Sequence, residues 1–431
     1  MVIEKVRGFR DIYPDEAEPR KKIFAVSENL AELFGFSKIE MPSVESLDLY
    51  RTKSGDELVS QCFSFRDRSG REISLTPEAT PTVVRMLTSR KDISKPVKWY
   101  SFQKFWRYEE PQSGRQREFY QLNADIFGPN SPLADAEVIG LAASILDKLG
   151  LNGKYRILLN DRLIMDSLLK SYNITDISKA FAVIDKYRKI STEEFVAKMK
   201  EIGFSGGDIK SLLEYLDKQV PIDEAYDFFT DSISERTDRV AVSRFLDLLR
   251  ILRKYSNDSF YVDLSVVRGL AYYTGVVFEA FDIDRKFRSI LGGGRYDDLA
   301  NLYSGQNIPA VGFGMGDLIL EMLMKETGVF AQKKQRKFFV AVTSREYIEK
   351  AVEVSNMIRS LGVICSFDIS EKQFSAQMKE ANRLGYSDAI IIGQKEIVEN
   401  SYTWKHMESG KQVYVSHTDL LSKIKLEFMR E

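Results

Sequence analysis

Two aromatic-rich stretches of alternating polarity, Val97 to Phe105 and Phe119 to Phe127, flank a polar run from Glu110 to Arg117. Alternation with a period of two reads as a strand with two unlike faces, and two such runs around a polar loop read as long antiparallel partners. They dominate a segment, Ile73 to Phe127, whose texture differs from the helical patterns on either side.

Those patterns organise the rest of the chain. Glu16 to Phe34 carries apolar positions at helical spacing and stops at Gly35, and a strand-like Phe36 to Met41 is closed by Pro42. Leu133 to Leu149 is again helical. From Asp161 to Arg253 the sequence turns charged and amphipathic, as in Lys179 to Tyr187 and Thr192 to Ile202, with Gly206-Gly207 as a break. Residues 161–253 therefore read as a helical insertion between two halves of one catalytic domain, 1–330. Strand texture resumes at Phe260 to Leu264 and Val276 to Phe281, and a helix follows Gly316. Past a basic linker (Lys333, Lys334, Arg336, Lys337), strands and helices alternate. Strands are expected at Phe338 to Val342, Val363 to Phe367, Ala389 to Ile392 and Val413 to Ser416, with helices at Arg345 to Leu361 and Glu371 to Leu384. Residues 332–431 are thus expected to form a small α/β domain. The expected fold class is α/β: an α+β catalytic domain with a mixed antiparallel sheet flanked by helices, a helical insertion, and the C-terminal domain.

Composition narrows the chemistry. Hydrophobic residues make up 44% of the 431 and charged residues 29%, as in a soluble globular protein. No apolar run approaches the roughly 18–20 residues of a membrane span, and Met1 to Arg10 lacks the features of a signal peptide. The expected location is cytoplasmic. Cys62 and Cys365 are too few and too far apart for a disulfide framework or a zinc site. Only two histidines exist, His406 and His417, so no Ser-His-Asp relay and no imidazole-based metal centre can operate in the first 400 residues. Chemistry there must use carboxylates, arginines, backbone dipoles or the substrate's own groups. A net charge of −1 gives no global field for nucleic acid, although the segment from Ala331 carries +3 (16 Lys and Arg against 13 Asp and Glu).

Four blocks carry candidate chemistry. Thr76-Pro77-Glu78-Ala79-Thr80 places a carboxylate on a Pro-turned loop, although Thr76 capping a helix with Glu78 on its dipole would be an ordinary alternative. Phe105 to Pro111 and Gly114 to Gln121 set Arg107 and Glu109 on one face, with Phe119 and Gln121 likewise sharing a face. An arginine fork, a carboxylate and a ring on one sheet surface suit a nucleotide; a surface salt-bridge ladder is the plain alternative. Arg268 to Gly275 joins a cation to adjacent tyrosines, Tyr272 and Tyr273; a turn with core aromatics would look similar. Finally, Gly292-Gly293-Gly294-Arg295-Tyr296-Asp297 and Gly312 to Gly316 read as glycine-rich loops that allow close backbone approach. Neither matches a Walker or Rossmann fingerprint.

In this order the blocks closely resemble the histidyl-tRNA synthetases, a family of class II aminoacyl-tRNA synthetases. The segment Phe34 to Glu45 is similar to the family's first motif, which builds a dimer interface, and Phe105 to Phe119 to its second. Arg268 to Gly275 resembles the segment that marks the histidine enzymes. The resemblance implies ATP-dependent activation of L-histidine and its transfer to the 3′ end of tRNA(His). It implies that Arg107 and Arg268 bind the α-phosphate as the catalytic cations, with Arg107 also on the amino-acid carboxylate. Glu109 and Arg115 would contact ATP, and Phe119 would stack on adenine. Glu78, Thr80 and Gln121 would hold the α-amino group, while Asp125 and Tyr273, with Tyr272 beside them, would form the imidazole pocket. ATP enters as a substrate with its Mg²⁺; no protein-held metal, zinc or organic cofactor is implied. The partners implied are tRNA(His) and a second copy in a homodimer, with no membrane, and residues 332–431 would be the anticodon-binding domain.

The sequence departs from the family's pattern at several points. Ala271 stands where many members have Asp, Ala79 where many have Gly, and Glu110 where Arg is common. After Gly312 to Gly316 the family has Glu-Arg, whereas the aligned positions are Leu318 and Ile319. A phosphate-balancing cation must then come from elsewhere, with Arg115 the first candidate and Arg295 the second. The alternative reading is a non-catalytic relative, the synthetase-like regulatory subunit of ATP phosphoribosyltransferase, which typically lacks both the histidine block and the C-terminal domain. A class II enzyme for proline or threonine is disfavoured by the Arg268 to Gly275 block.

Overall fold

The computed structural model describes residues 3–51, 55–233, 236–255, 258–268, 272–330 and 336–428. The chain divides into two compact units, Met1–Ala331 and Gln332–Glu431. Of the basic linker, Lys333 and Lys334 lie outside the described residues, as does Ala271.

The larger unit is built on a nine-stranded sheet. In chain order its strands are β1 (Ser37–Lys38), β2 (Val97–Trp106), β3 (Glu118–Phe127), β4 (Tyr155–Asp161), β5 (Val220–Pro221), β6 (Phe260–Val262), β7 (Val276–Asp282), β8 (Leu291–Arg295) and β9 (Ala310–Gly316). Their spatial order is β1-β2-β3-β9-β8-β7-β4-β6-β5. The β2–β3 pair runs antiparallel over its whole length, from Val97 opposite Phe127 to Trp106 opposite Glu118. The strand-like Phe36 to Met41 contributes only the two residues of β1.

Period-two alternation gives the sheet two distinct faces. Leu122, Ala124 and Ile126 of β3 share a core with Val311, Phe313 and Met315 of β9 and with Val276, Phe278 and Ala280 of β7. Residues of the helices Pro14–Leu33, Pro132–Lys148 and Asp317–Glu326 belong to that core. So do Phe195, Met199, Leu212 and Phe245 from helices between Arg162 and Leu252, which ties the helical segment to the same layer. Within that segment Gly206 and Gly207 open a helix, Gly206–Leu216, capped by the Ser205 hydroxyl on the Asp208 N–H. The opposite face of the sheet is covered only in part, by the helices Thr80–Thr88 and Leu299–Ser304 and by buried tyrosines.

The smaller unit has a five-stranded sheet ordered Ile364–Phe367, Lys337–Val342, Asp388–Ile392, Ser401–His406, Gln412–Ser416. Four of the strands fall where alternation puts them. Ser401–His406 was not among those expected, although Tyr402 and Trp404 alternate with polar neighbours. No helix among the described residues is long and apolar enough to cross a membrane.

Candidate active site

The glycine blocks are strands, not loops, and this shapes the site. Gly292 and Gly294 of β8 and Gly312, Gly314 and Gly316 of β9 put no side chain on the partly covered face. The sheet rows run Gly294, Gly312, Asp125 and Gly292, Gly314, Asn123. A Cβ on Gly312 would lie 1.9 Å from an Asp125 carboxylate oxygen, and one on Gly314 would lie 2.0 Å from the Gln121 amide nitrogen. A Cβ on Gly292 would lie 2.2 Å from Nη1 of Arg268. Each contact is far inside van der Waals distance, so these glycines make the floor on which three polar side chains rest.

Around this floor the structure gathers the side chains singled out in the sequence. Arg107 leaves the end of β2, its Nε donating to the Pro77 carbonyl at 2.9 Å and its guanidinium lying 5.6 Å from the Phe119 ring. Phe119, Gln121, Asn123 and Asp125 follow one another on the same face of β3. In the β2–β3 loop, Nε of Arg115 meets the Glu109 carboxylate at 2.8 Å. Glu78 is buried at the base of the Thr80–Thr88 helix. Thr76 does not cap that helix, whose N-cap position is Ala79; its hydroxyl donates to the Pro42 carbonyl. Thr80 is the first helical residue, and its hydroxyl lies beside that of Tyr272.

Arg268 adopts a φ of +56°, a region costly for a residue with a Cβ. Two upstream groups hold the segment leading to it: the Asn160 amide donates to the carbonyls of Leu264 and Val266, and Arg162 donates to that of Val267. The Arg268 guanidinium pairs with Glu279 on β7 and lies 5.9 Å from the Tyr273 ring. Burial alone would weaken its hold on the proton, but Glu279 and the Tyr273 hydroxyl more than reverse this, so it stays charged. Both tyrosines are buried and tilted against each other, with centroids 5.0 Å apart. Tyr273 lies over Gly294, where a Cβ would come within 2.8 Å of its ring.

Two buried donors on this face lack partners among the described residues: Nε of Arg268 and Nδ2 of Asn123. Leaving such a donor buried and unpaired costs about 1–3 kcal/mol. Asn123 and the Arg268–Glu279 pair flank the Gly314–Gly292 row.

At the other end of the floor, Asp125 is 5% exposed and accepts a hydrogen bond from the Tyr296 hydroxyl. Burial pushes its carboxyl up to about 7, with the Tyr296 bond pulling the other way. The folded protein then keeps a proton that the unfolded chain, at the ordinary 3.8, has already lost. Between about pH 4 and 7 stability must fall as pH rises, by up to about 1.4 kcal/mol per unit. Denaturant unfolding of the unliganded protein from pH 5 to 8 should show this slope, and Asp125→Asn should show a shallower one, keeping the part due to Asp161, which burial raises to about 6. Parallel curves for the two proteins would mean that Asp125 titrates normally.

A further sequence expectation is corrected. Arg295 is not available to a nucleotide, because the period of two turns it to the opposite face from Gly292 and Gly294. There it is 3% exposed, with two nitrogens on Asp135 and a third on Asp297. Ile319 is buried beneath the β2–β3 loop, its Cδ1 2.3 Å from where a Cβ of Gly114 would stand. Glu110 pairs with Arg7. The residues that sequence reasoning missed are Asn123, Glu279 and Tyr296. Asn123 was within reach, lying between Gln121 and Asp125 at the same period; a carboxylate in the middle of the otherwise apolar run Val276 to Phe281 was the signal for Glu279.

A mainly antiparallel sheet backed by helices, with arginines over an open glycine face, is the architecture of the class II aminoacyl-tRNA synthetases. Within that class, the family model described as histidyl-tRNA synthetase matches residues 8–317, and that of an anticodon binding domain matches 337–427. A histidine–tRNA ligase of Thermoplasma volcanium is 46% identical over 98% of this chain and 98% of its own length. One from Picrophilus torridus is 42% identical over 98% and 100%. The crystal structure of a histidyl-tRNA synthetase from Nostoc sp. PCC 7120 superposes with a TM-score of 0.86, covering 99% of this chain and 100% of that one at 22% identity. The chain belongs to the histidyl-tRNA synthetase family.

Proposed function

We propose that this protein activates L-histidine with ATP and transfers it to the 3′ end of tRNA(His). The observation that carries the reading is the buried Asp125, held by Tyr296 above Gly312, on the same sheet face as two arginines. An imidazole needs a hydrogen-bond partner at each nitrogen, and a carboxyl poised near neutrality can accept from one of them. Tyr273 supplies the second partner, and Tyr272 packs beside it. Glu78, Thr80 and Gln121 hold the α-amino group. ATP stacks its adenine on Phe119, with Glu109 and Arg115 on the loop beside it, and brings its Mg²⁺ as part of the substrate.

In the first step the histidine carboxylate attacks the α-phosphorus and pyrophosphate leaves. The protein supplies positioning and charge rather than a nucleophile. Arg107 holds the carboxylate and the α-phosphate together. Arg268 stabilises charge that grows on the non-bridging oxygens. In the second step a ribose hydroxyl of the tRNA attacks the adenylate carbonyl and AMP leaves, its phosphate taking the proton. Two copies pair through the segment Phe34 to Glu45, and the protein works in the cytoplasm.

Histidine-dependent ATP–pyrophosphate exchange tests the first step, and charging of tRNA(His) the second. The catalytic domain 1–330, with its helical insertion 161–253, should retain exchange when the chain is cut after Phe330. That fragment should lose most charging, because residues 332–431 bind the anticodon. Full charging by the soluble fragment would show that the C-terminal domain serves another purpose. No exchange by the intact protein would sink the catalytic reading.

A further inference from the structure

A second cluster of cations lies where the helical segment meets the sheet edge. A cavity of about 360 Å³ opens there, lined by Arg156, Arg188 and Arg285 together with Gln219 and Phe281. Arg156 donates to the Gln219 amide oxygen at 3.2 Å and lies 4.5 Å from the Tyr261 ring. Arg285 stacks 4.0 Å from the Phe281 ring, at a φ of +55°. Its ion pair with Asp263 is long, at 3.9 Å, and that same carboxylate also serves Arg188 at 3.1 Å.

The carboxylates in the wall are already occupied. Asp282 accepts the backbone N–H groups of Lys286 and Phe287, and Asp217 accepts the Tyr187 hydroxyl. Asp263 also accepts from Gln219 and Ser265. Arg188 and Arg285 thus share one committed carboxylate, and Arg156 is met by a neutral amide oxygen. Arg156 and Arg285 lie against aromatic rings, the combination that holds single-stranded nucleic acid: cation for the backbone, ring for the base.

The position of the cavity suits that ligand. Arg156 and Phe281 lie on the same sheet face as Glu279, one row beyond the Arg268–Glu279 pair. Two residues of strand span about 7 Å. An RNA end delivering its ribose to Arg268 would therefore run its next phosphates past this cavity. The side chains of Arg188 and Arg285 are 38% and 35% exposed, open enough for a strand to pass.

We propose that this cavity binds backbone phosphates of the 3′-terminal strand of the RNA substrate, through Arg285 and Arg156. The proposal rests on the functional reading above. Its test is Arg156→Ala/Arg285→Ala in the full chain, assayed for pyrophosphate exchange and for tRNA charging over a range of salt. The expected result is exchange within twofold of the unmodified protein and a KM for tRNA raised about tenfold or more. The salt dependence of tRNA binding should flatten by about 1–2 in log–log slope, since each lost phosphate contact removes about 0.7 for single strands. Arg285→Lys, which keeps the charge, should recover part of the loss. Arg285→Glu repeats the measurement with Arg156 intact, in case the double variant folds poorly. Unchanged tRNA KM and slope in a folded variant would overturn the proposal. So would a raised KM for ATP with normal tRNA kinetics, which would make the cavity a triphosphate site. An unmodified protein that neither exchanges nor charges would overturn the functional reading itself, a result distinct from variants that match an active parent.

Discussion

Arg268→Ala is expected to lower histidyl-adenylate formation by on the order of 10²–10³-fold, the scale of removing one preorganised group that meets developing charge. The loss should appear mainly in kcat, because charge on the phosphate oxygens grows toward the transition state. The structure adds a graded companion. Glu279 orients Arg268 through their ion pair, so Glu279→Gln should give a smaller loss of the same kind. Arg107→Ala should match Arg268→Ala in size but also raise the KM for histidine, since Arg107 holds the carboxylate as well. Single-turnover adenylate formation separates these cases. A defect in Arg268→Ala confined to transfer onto tRNA would remove Arg268 from the first step.

Gly312→Ala is expected to weaken histidine binding about tenfold or more. The new methyl would stand 1.9 Å from the Asp125 carboxylate, which must then swing away from the imidazole. A hydrogen bond to a charged group is worth about 1.5–3 kcal/mol, or about 10- to 150-fold. Gly314→Ala should act through Gln121 in the same way. Gly316 offers an internal control on the same strand. Its backbone is extended, with φ −78° and ψ 144°, and an added Cβ meets nothing within 4 Å. Gly316→Ala should therefore bind histidine normally. Equal KM values for all three variants would show that the floor is not where histidine sits.

These two sets of residues also show what could be read before the fold was known. The β2–β3 pair was legible because ten-residue strands with one apolar and one polar face leave a strong alternation. The same alternation placed Gln121 and Asp125 together. The glycines misled because glycine has no polarity to alternate: β8 and β9 carry their meaning in the side chains they omit. Knowing their register would have turned Arg295 away from the ligand at once, since it is one residue out of phase with Gly294. Tyr296 follows Arg295 in chain order yet meets Asp125, 171 positions away in sequence. No local pattern reports such a contact. The small β-sheet built from Val44–Ser46, Ser64–Arg66 and Glu72–Leu75 escaped for a simpler reason, as strands of three or four residues are too short to show a period.

Both histidines belong to the C-terminal unit, where His406 meets Asp388 at 2.8 Å and His417 stacks on Tyr402. The catalytic unit contains none. For a chain that supplies histidine to translation, this has a bearing on its own synthesis. Within this sequence more than 400 residues stand before the first histidine. N-terminal domains generally fold first as they emerge. The whole catalytic unit can thus be made and folded without drawing on the product it makes. When histidyl-tRNA runs short, the catalytic unit itself holds no position at which the ribosome would have to wait for it.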